Sequence, residues 1–401
     1  MLHIGLTGGI AAGKSTAAAV LSDQGAHLID ADQLARDVVA AGTEGLAEVV
    51  AAFGQQILTP GGGLDRAALG RLVFADSEAL AALNAIVHPL VARRTAEQIA
   101  ELPDAAIVVH DVPLIVENDL AHRYHLVLVA GAGETERLRR LTSGRGMAEA
   151  DALARIRAQA DDDERRKVAD VWLDTEGPQE QTRAGLEQLW RTRLAPYAQN
   201  ISRGQIAKPA GPVRIVTGPP PPRTWAVQAE LILDRLRRQL GQRIRTAHHI
   251  GSTAVPGLPA KDVLDLQLGV QTLADADQIA EALREAGFPR RVDITTDNAK
   301  PDDPGPERWA KRFHASADPA RPVHVHLRVV GGPGWRFALA FRDWLRAEGD
   351  IRDEYTEVKR VLVAAGGGSR AYAQAKEPWF NEIWPRLRTW TEQTNWTPPE
   401  R

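Results

Sequence analysis

The chain has 401 residues, of which 44% are hydrophobic and 25% charged, and its net charge at pH 7 is −3. This composition is typical of a globular protein with two or three domains. The acidic balance gives no overall basic footprint for nucleic acid, and no apolar run approaches the roughly 18 residues that cross a bilayer. Cysteine is absent, which excludes disulfides, thiolate metal sites and cysteine nucleophiles. We therefore expect a cytoplasmic enzyme with neither nucleic-acid nor membrane partners.

The glycine-rich segment 5–16 matches the phosphate-loop pattern G-x-x-x-x-G-K-[ST] in full. An apolar run over 2–6 predicts a strand that enters the loop, and residues 15–24 predict a helix that leaves it. The glycines let the backbone fold around an anion, and the helix N-terminus adds partial positive charge. We expect a nucleoside triphosphate, with Mg²⁺ on the Ser15 hydroxyl. The residues expected to contact the nucleotide are Gly8, Gly9, Ala11, Ala12, Gly13, Lys14, Ser15 and Thr16.

The rest of the first half alternates between strand and helix patterns. Helices are predicted between the strands, for example over 77–102 and 147–167. Continuous apolar strands separated by helices indicate a parallel sheet covered on both faces. The predicted strands cover 2–7, 26–31, 105–110, 124–130 and 170–174.

Polar residues follow three of these strands, and ligands bind where parallel strands end. Asp30, Asp32, Asp111 and Pro113 should therefore gather beside the phosphate loop. A carboxylate after the second strand can accept the proton of an attacking hydroxyl, whereas one of the two aspartates could instead cap a helix. Asp111 follows the third strand, where such folds hold Mg²⁺ indirectly.

Residues 136–167 are rich in arginine. Along helices these side chains could form a lid whose guanidinium groups neutralise the transferred phosphate. For most of them, a solvated helical face is the simpler interpretation. They are Arg137, Arg139, Arg140, Arg145, Arg155, Arg157, Arg165 and Arg166.

The phosphate loop and four further motifs together resemble the dephospho-CoA kinase family. The four are Ile-Asp-Ala-Asp-(x2)-Ala-Arg at 29–36, His88-Pro89, Asp-Val-Pro-Leu at 111–114 and Arg-Ile-Arg-Ala-Gln at 155–159. The resemblance implies ATP-dependent phosphorylation of the ribose 3′-hydroxyl of dephospho-CoA. It also implies a nucleoside-monophosphate-kinase-like α/β fold with a helical substrate subdomain (33–100) and a lid (134–167).

The resemblance assigns roles to individual residues. Asp32 matches the base, Lys14 the γ-phosphate contact and Arg140 a lid or phosphate contact, although Arg137 remains an alternative. His88 and Leu114 lie in segments that shape the acceptor pocket. The chain departs from the family at Ala11-Ala12, where glycine and serine are usual, and after Trp172-Leu-Asp174, where the usual asparagine is missing. Another nucleoside or nucleotide kinase therefore stays open as an alternative.

A proline-rich segment divides the chain, since Pro219–Pro222 cannot continue a helix. We expect a kinase domain over 1–200, a linker over 201–222 and a second domain over 223–395. In the second half, a helix is predicted over 225–240, strands over 263–270 and 323–329, and helices over 337–347 and 350–364.

Motifs over 248–268, 324–327, 341–345 and Tyr372-(x3)-Lys376 resemble the GrpB-like family. That resemblance implies an α+β nucleotidyltransferase fold. Nucleotidyl transfer needs a Gly-Ser turn and two carboxylates one residue apart for two Mg²⁺ ions. Gly251-Ser252 and Asp265 are present, but the partner position holds Gln267. We therefore expect a structural or regulatory domain, with its own nucleotidyl transfer as an alternative.

The second half also contains five histidines that could bind a metal: His248, His249, His314, His324 and His326. Hydrogen-bonded structural histidines are the alternative interpretation.

Overall fold

The computed structural model describes residues 1–74, 76–208, 214–219, 223–366 and 368–399. The chain divides into two compact units. The first consists of Met1–Leu120, Leu126–Arg165 and Ala169–Gln188, and the second of Ala121–His125, Arg166–Val168 and the chain from Leu189 onward. In the part of the chain that the structure describes, no helix is long and apolar enough to cross a membrane.

The first unit contains a parallel sheet whose strand order is β2-β3-β1-β4-β5. All five expected strands are present, so the parallel sheet predicted from the apolar runs is confirmed. They are β1 (Leu2–Gly8), β2 (His27–Asp30), β3 (Ile107–Asp111), β4 (Leu126–Gly131) and β5 (Val171–Asp174).

The order of the strands places the ligand site. β1 lies in the centre, and the chain crosses from it to β2 and β3 on one side and later to β4 and β5 on the other. Because the connections on the two sides of β1 run in opposite directions, a crevice opens at the carboxyl end of this strand. The strand interiors, such as Leu6 and Leu128, are fully buried, so the end of β1 is held rigidly.

Helices cover this sheet and build the region between β2 and β3. The predicted helix over 77–102 is present as α5, but the one predicted over 147–167 is two helices. Asp161 breaks it, because its side chain forms a capping box with Glu164 and starts α8. The helices are α1 (Lys14–Asp23), α2 (Ala31–Asp37), α3 (Glu44–Phe53), α4 (Arg66–Phe74), α5 (Ser77–Ala100), α6 (Glu134–Arg145), α7 (Glu149–Arg157), α8 (Asp162–Val168) and α9 (Gln179–Leu189).

A π-helical turn (Trp190–Leu194) joins α9 to α10 (Ala195–Arg203), which ends at the left-handed Gly204. The expected linker over 201–222 therefore begins inside a helix, and its residues 209–213 and 220–222 lie outside the described part of the chain. Within the second unit, Arg193 pairs with Asp318 at 2.7 Å. The domain boundaries near 200 and 222 stay predictions.

The second unit has a mixed sheet of order β6-β7-β9-β8, in which β7 and β9 are parallel. Sequence patterning predicts β7 and β9 but misses the short strands β6 and β8. The strands are β6 (Thr246–Ile250), β7 (Leu264–Val270), β8 (Arg312–Ala315) and β9 (Val323–Val329). The helices are α11 (Trp225–Leu240), α12 (Leu273–Gln278), α13 (Ala280–Glu285), α14 (Pro333–Ala347), α15 (Gly349–Ala364), α16 (Ser369–Ala375) and α17 (Glu377–Gln393).

Two apolar clusters stabilise the second unit. In one of them, Leu233 of α11 shares a core with Leu266 of β7 and Leu327 of β9, so this helix covers one face of the sheet. An aromatic cluster joins α14, α15 and α17, where the Tyr355 ring stacks on Trp379 at a centroid distance of 4.7 Å.

Candidate active site

The phosphate loop connects β1 to α1 through a backbone path that restricts its residues. Gly13, which precedes α1, has φ 85°, a left-handed value that glycine adopts without cost. A Cβ on Gly8 would lie 2.5 Å from the carbonyl oxygen of Ala130. Ala11 also has a left-handed φ of 60°, so the alanine that replaces the family's usual glycine is strained.

Lys14, the first residue of α1, forms an ion pair with Asp111 at the end of β3. Burial raises the pKa of Asp111, the Lys14 ammonium opposes this, and the nearby Asp30 and Asp32 raise it further. This coupling places all three carboxylates at the mouth of the loop, as the strand-end argument predicts. The Thr7 hydroxyl donates to the carbonyl of Pro113 at 2.9 Å and fixes the same edge.

Asp30 and Asp32 have different surroundings. Asp30 is the N-cap of α2, and its carboxylate accepts the backbone N–H of Gln33 at 2.9 Å. Asp32 lies in the first turn of α2 and is exposed. Because the cap role belongs to Asp30, the Asp32 carboxylate is left to face solvent beside the loop.

Two buried arginines lie against the loop at Gly9. Arg137 is 6% exposed and Arg165 is 1% exposed. A Cβ on Gly9 would collide with Nη1 of Arg137 and lie 3.2 Å from Nη1 of Arg165. Nε and Nη1 of Arg137, and both terminal nitrogens of Arg165, have no hydrogen-bond partner among the described residues. Burial lowers the pKa of Arg165, although Glu117 partly offsets this.

Arg140, the lid arginine favoured from the sequence, has a different environment. Its guanidinium donates to the Ala11 carbonyl at 3.1 Å and to the Thr175 carbonyl, and pairs with Glu136 at 2.7 Å. The buried Thr175 hydroxyl in turn donates to the carbonyl of Ala12 at 2.7 Å. Arg140 and Thr175 thus hold the outer side of the loop.

Several residues of the site have no prediction from the sequence. Gln159 accepts the backbone N–H of Ile10 at 2.8 Å, and Glu117 accepts that of Ala160 at 3.0 Å. Gln159 ends the motif at 155–159, and Glu117 lies three residues after the motif at 111–114. Their position in or beside those motifs is a signal, but their contacts with distant backbone follow only from the fold.

The two residues expected at the acceptor pocket are accessible. Leu114, beside Pro113, is 42% exposed, which is high for a leucine next to a buried strand. His88 lies exposed on α5, where Pro89 interrupts the helical hydrogen bonds. A cleft of about 430 Å³ adjoins the loop at Ser15 and is also lined by residues of α1 and the start of α9, among them Thr16, Val20, Gln179 and Arg183.

Comparisons with known proteins give a consistent result. The family model described as dephospho-CoA kinase matches residues 2–181. A protein from Mycolicibacterium paratuberculosis named dephospho-CoA kinase is 48% identical over 99% of this chain and 100% of its own length. The chain belongs to the dephospho-CoA kinase family. It is therefore a phosphotransferase.

Other members of the family are shorter. The dephospho-CoA kinase of Thermobifida fusca is 52% identical and covers 47% of this chain and 95% of its own length. The GrpB family model matches residues 213–386. A solved GrpB protein from Enterococcus faecalis is 22% identical, with a TM-score of 0.36, over 44% of this chain and 99% of its own.

In this family member's GrpB-like unit, the second carboxylate of a nucleotidyltransferase is replaced by a buried amide. Gln267 is fully buried, its Oε1 accepts from Nη1 of Arg328 at 2.6 Å, and its Nε2 donates to the carbonyl of Trp335 at 3.3 Å. Asp262 precedes β7 and accepts from Trp225 and Arg321. Neither residue can join Asp265 in a pair of Mg²⁺ ligands.

Three of the five histidines have structural surroundings. His314 is fully buried and contacts the carbonyl of Phe288 at 2.8 Å, and His249 contacts the Thr253 hydroxyl at 2.9 Å. Burial lowers the pKa of His248 to about 4, and its ring packs edge-on against Trp335. These observations favour neutral, packed side chains at all three positions.

The other two histidines form a triad with Asp265 whose ligand atoms lie within 4.8 Å of one another. Nδ1 of His324 lies 3.0 Å, and Nε2 of His326 3.5 Å, from Oδ1 of Asp265. Nδ1 of His326 faces Nζ of Lys311 at 3.3 Å and Nη2 of Arg328 at 3.2 Å, and these cations only donate. The ring proton of His326 therefore lies on Nε2 and points at Asp265, whereas a metal ligand needs that lone pair.

Proposed function

We propose that this chain transfers the γ-phosphate of ATP to the ribose 3′-hydroxyl of dephospho-CoA, giving CoA and ADP. The observation that carries this is the convergence of three groups at the end of β1. They are a phosphate loop, a cluster of three carboxylates, and two buried arginines with unpartnered N–H groups. Family membership identifies the acceptor.

The loop binds the nucleotide phosphates. Its backbone N–H groups and the N-terminus of α1 face the anion, and Asp111 orients the Lys14 ammonium at the loop mouth. The other loop residues that surround the phosphates are Gly8, Gly9, Ala11, Ala12, Gly13, Ser15 and Thr16. The cleft beside Thr16 and Gln179 is large enough to hold the adenine base.

Mg²⁺ fits the donors present at this mouth. Ser15 is exposed. Asp111 forms an ion pair with Lys14 and lies close to two further carboxylates, those of Asp30 and Asp32. Ser15 would hold the ion directly and Asp111 through water. When bound, Mg²⁺ neutralises charge on the β- and γ-phosphates.

Asp32 is the base. Its exposed carboxylate beside the loop can accept the proton of the 3′-hydroxyl and align its oxygen for in-line attack. Leu114 offers an apolar surface to the organic part of the acceptor, and His88 lies on the helical substrate subdomain (33–100).

Arg137 and Arg165 contact the transferred phosphoryl group. Both guanidinium groups are buried against Gly9 and keep N–H donors without a hydrogen-bond acceptor among the described residues, although Arg165 lies 3.7 Å from carboxylate oxygens of Glu117 and Asp162. An anionic oxygen there would satisfy donors that are otherwise costly to bury. Arg140 is already engaged by Ala11 and Thr175 and positions the loop from the lid region (134–167).

We assign no nucleotidyl transfer to the GrpB-like unit, because Gln267 replaces the second carboxylate and its buried amide is directed at Arg328 and Trp335. A structural or regulatory role follows. Asp265→Asn should then leave kinase turnover unchanged. Incorporation of a labelled nucleotide by the wild type but not by this variant would establish the alternative activity.

The deciding experiment measures ADP release by the full-length protein with ATP, Mg²⁺ and dephospho-CoA, with adenosine as the control acceptor. We expect turnover with dephospho-CoA alone. Lys14→Ala should lower kcat by about 10²–10³-fold, as removal of a key electrostatic donor does. Lys208→Ala, which removes an exposed lysine distant in sequence from the loop, is the matched control. Turnover with adenosine while dephospho-CoA stays inert would instead identify another nucleoside kinase.

A further inference from the structure

Three lysines of the GrpB-like unit converge on one group of aromatic rings. Nζ of Lys261 and Nζ of Lys376 lie 5.0 and 5.2 Å from the centre of the Tyr372 ring. Nζ of Lys359 lies 4.5 Å from the centre of the Tyr355 ring. These residues come from the loop before β7, from α15 and from the start of α17, so only the tertiary fold brings them together.

The described residues provide no counter-ion for this cluster. Within the part of the chain that the structure describes, none of the three ammonium groups forms an ion pair, and Lys359 donates only to the carbonyl of Pro259. Other lysines of the unit are paired, Lys300 with Glu377 at 3.2 Å and Lys311 with Asp297 at 2.5 Å. Lys300, Lys311 and Lys359 are all buried, but among the described residues only Lys359 of these three has no acidic partner.

Burial makes the missing counter-ion costly. Lys359 is 2% exposed, while Lys261 and Lys376 are half-buried. Burial and the neighbouring Lys376 lower the pKa of Lys359 to about 7, and the same two causes lower the pKa of Lys261. Aromatic faces stabilise each cation only modestly, which is less than the cost of leaving buried charges unpaired.

Asp265 does not act as the counter-ion of these lysines. Asp265 interacts with Lys261 at longer range, but its carboxylate already accepts from His324 at 3.0 Å and lies 3.5 Å from Nε2 of His326. A Cβ on Gly251 would lie 2.7 Å from Oδ2 of Asp265, so the backbone at Gly251 packs directly against the same carboxylate.

We infer that Lys261, Lys359 and Lys376 form a binding site for an oligophosphate group. This site is distant in sequence from the phosphate loop, and its lysines, unlike Lys14, have no carboxylate partner among the described residues. Lysine binds phosphate as a point charge and needs no fixed fork geometry. The ammonium groups of Lys261 and Lys376, together with Lys359 when it is protonated, match the several negative charges of a diphosphate better than the single charge of a carboxylate. The two half-buried lysines would meet the ligand first, and Lys359 forms the floor of the site.

The test is calorimetric titration of the full-length protein with inorganic pyrophosphate. Since the phosphate loop also binds this anion, we expect two sites in the wild type and one in Lys14→Ala. Lys261→Met/Lys376→Met should weaken the second site at least about tenfold, because two charge-assisted contacts are lost. Lys208→Met removes an exposed lysine and should leave both sites intact.

Two results would overturn the inference. One is a double variant that binds pyrophosphate as the wild type does at both sites. The other is an Lys14→Ala protein without any pyrophosphate binding, since all binding would then belong to the phosphate loop. Circular dichroism and thermal melting monitor folding, and the single variant Lys376→Gln replaces the double variant if that protein does not fold.

Discussion

Replacing Arg137 by methionine should raise the stability of the protein while lowering its kinase activity. The reason is that the buried guanidinium binds an anionic ligand but forms few hydrogen bonds that stabilise the fold. Its Nε and Nη1 are buried without a partner among the described residues, and its charge also lowers the pKa of Arg165, after the larger effect of burial. Each unsatisfied buried donor costs about 1–3 kcal/mol. Methionine is flexible and fills irregular core space without a charge.

We expect the free energy of unfolding of the ligand-free protein to rise by at least about 2 kcal/mol, because two such donors are removed. That change corresponds to about 2–4 °C in Tm for each kcal/mol in a unit of this size. In the kinase assay, kcat should fall about 10²–10³-fold, as when a donor to a transition-state oxyanion is removed. Thermal melting and steady-state kinetics measure the two effects on the same preparation.

Arg139→Met is the matched control, since it removes the same charge from the same helix. The Arg139 side chain is 64% exposed and pairs with Glu136 at the surface, so both stability and kcat should stay close to the wild type. A less stable Arg137→Met protein that keeps the wild-type kcat would refute the reasoning, because the guanidinium would then be a structural group.

Three other predictions follow from single residues. Asp32→Asn should abolish turnover while the KM for ATP stays unchanged, whereas Asp30→Asn should remain active because asparagine caps a helix equally well; equal losses in steady-state kinetics would remove the base role from Asp32. Ala11→Gly should raise the free energy of unfolding by about 0.5–1 kcal/mol, because it relieves the left-handed φ of 60°. Ala12→Gly, at a buried position without that strain, should lower it in the same urea titration, and a lower value for Ala11→Gly as well would contradict the argument. Burial alone would raise the pKa of Asp297, but Arg328 and Lys311 outweigh it and hold the pKa far below its ordinary value. The stabilisation is therefore present above about pH 4 and is lost as the pH falls towards the folded-state pKa. Asp297→Asn should cost about 3 kcal/mol at pH 7, and its deficit relative to the wild type should shrink below pH 4; a deficit that is constant with pH would show that the ion pair is not its cause.

Local sequence patterns predict much of the secondary structure of the first unit. Apolar runs predict all five strands of the parallel sheet, and the glycine-lysine-serine pattern predicts the loop after β1. These predictions succeed because a buried parallel strand and a phosphate loop each depend on neighbouring residues. The strand-end rule also brings Asp111 to Lys14, since adjacent parallel strands end at the same edge.

Patterning is less informative where elements are short or hydrogen bonds are long-range. β6 and β8 have five and four residues, too few for a period to stand out. The helix predicted over 147–167 is interrupted because the capping box at Asp161 outweighs continuous helical propensity. Which of Arg137 and Arg140 contacts the transferred phosphate depends on which side chain is buried without hydrogen-bond partners. The spacing of the arginines along α6 does not predict this.

The sequence by itself determined the chemistry that this chain carries: a phosphate loop, aspartates at strand ends, and a GrpB-like half with glutamine in place of a second carboxylate. The tertiary structure decided which of those groups are accessible and which are unpaired. It buries Arg137 and Arg165 against Gly9, assigns the helix cap to Asp30 rather than Asp32, and gathers three lysines that have no ion-pair partner among the residues that the structure describes. Charge and hydrogen-bonding capacity are properties of a residue type, whereas desolvation and the presence of a partner depend on residues that are distant in the chain.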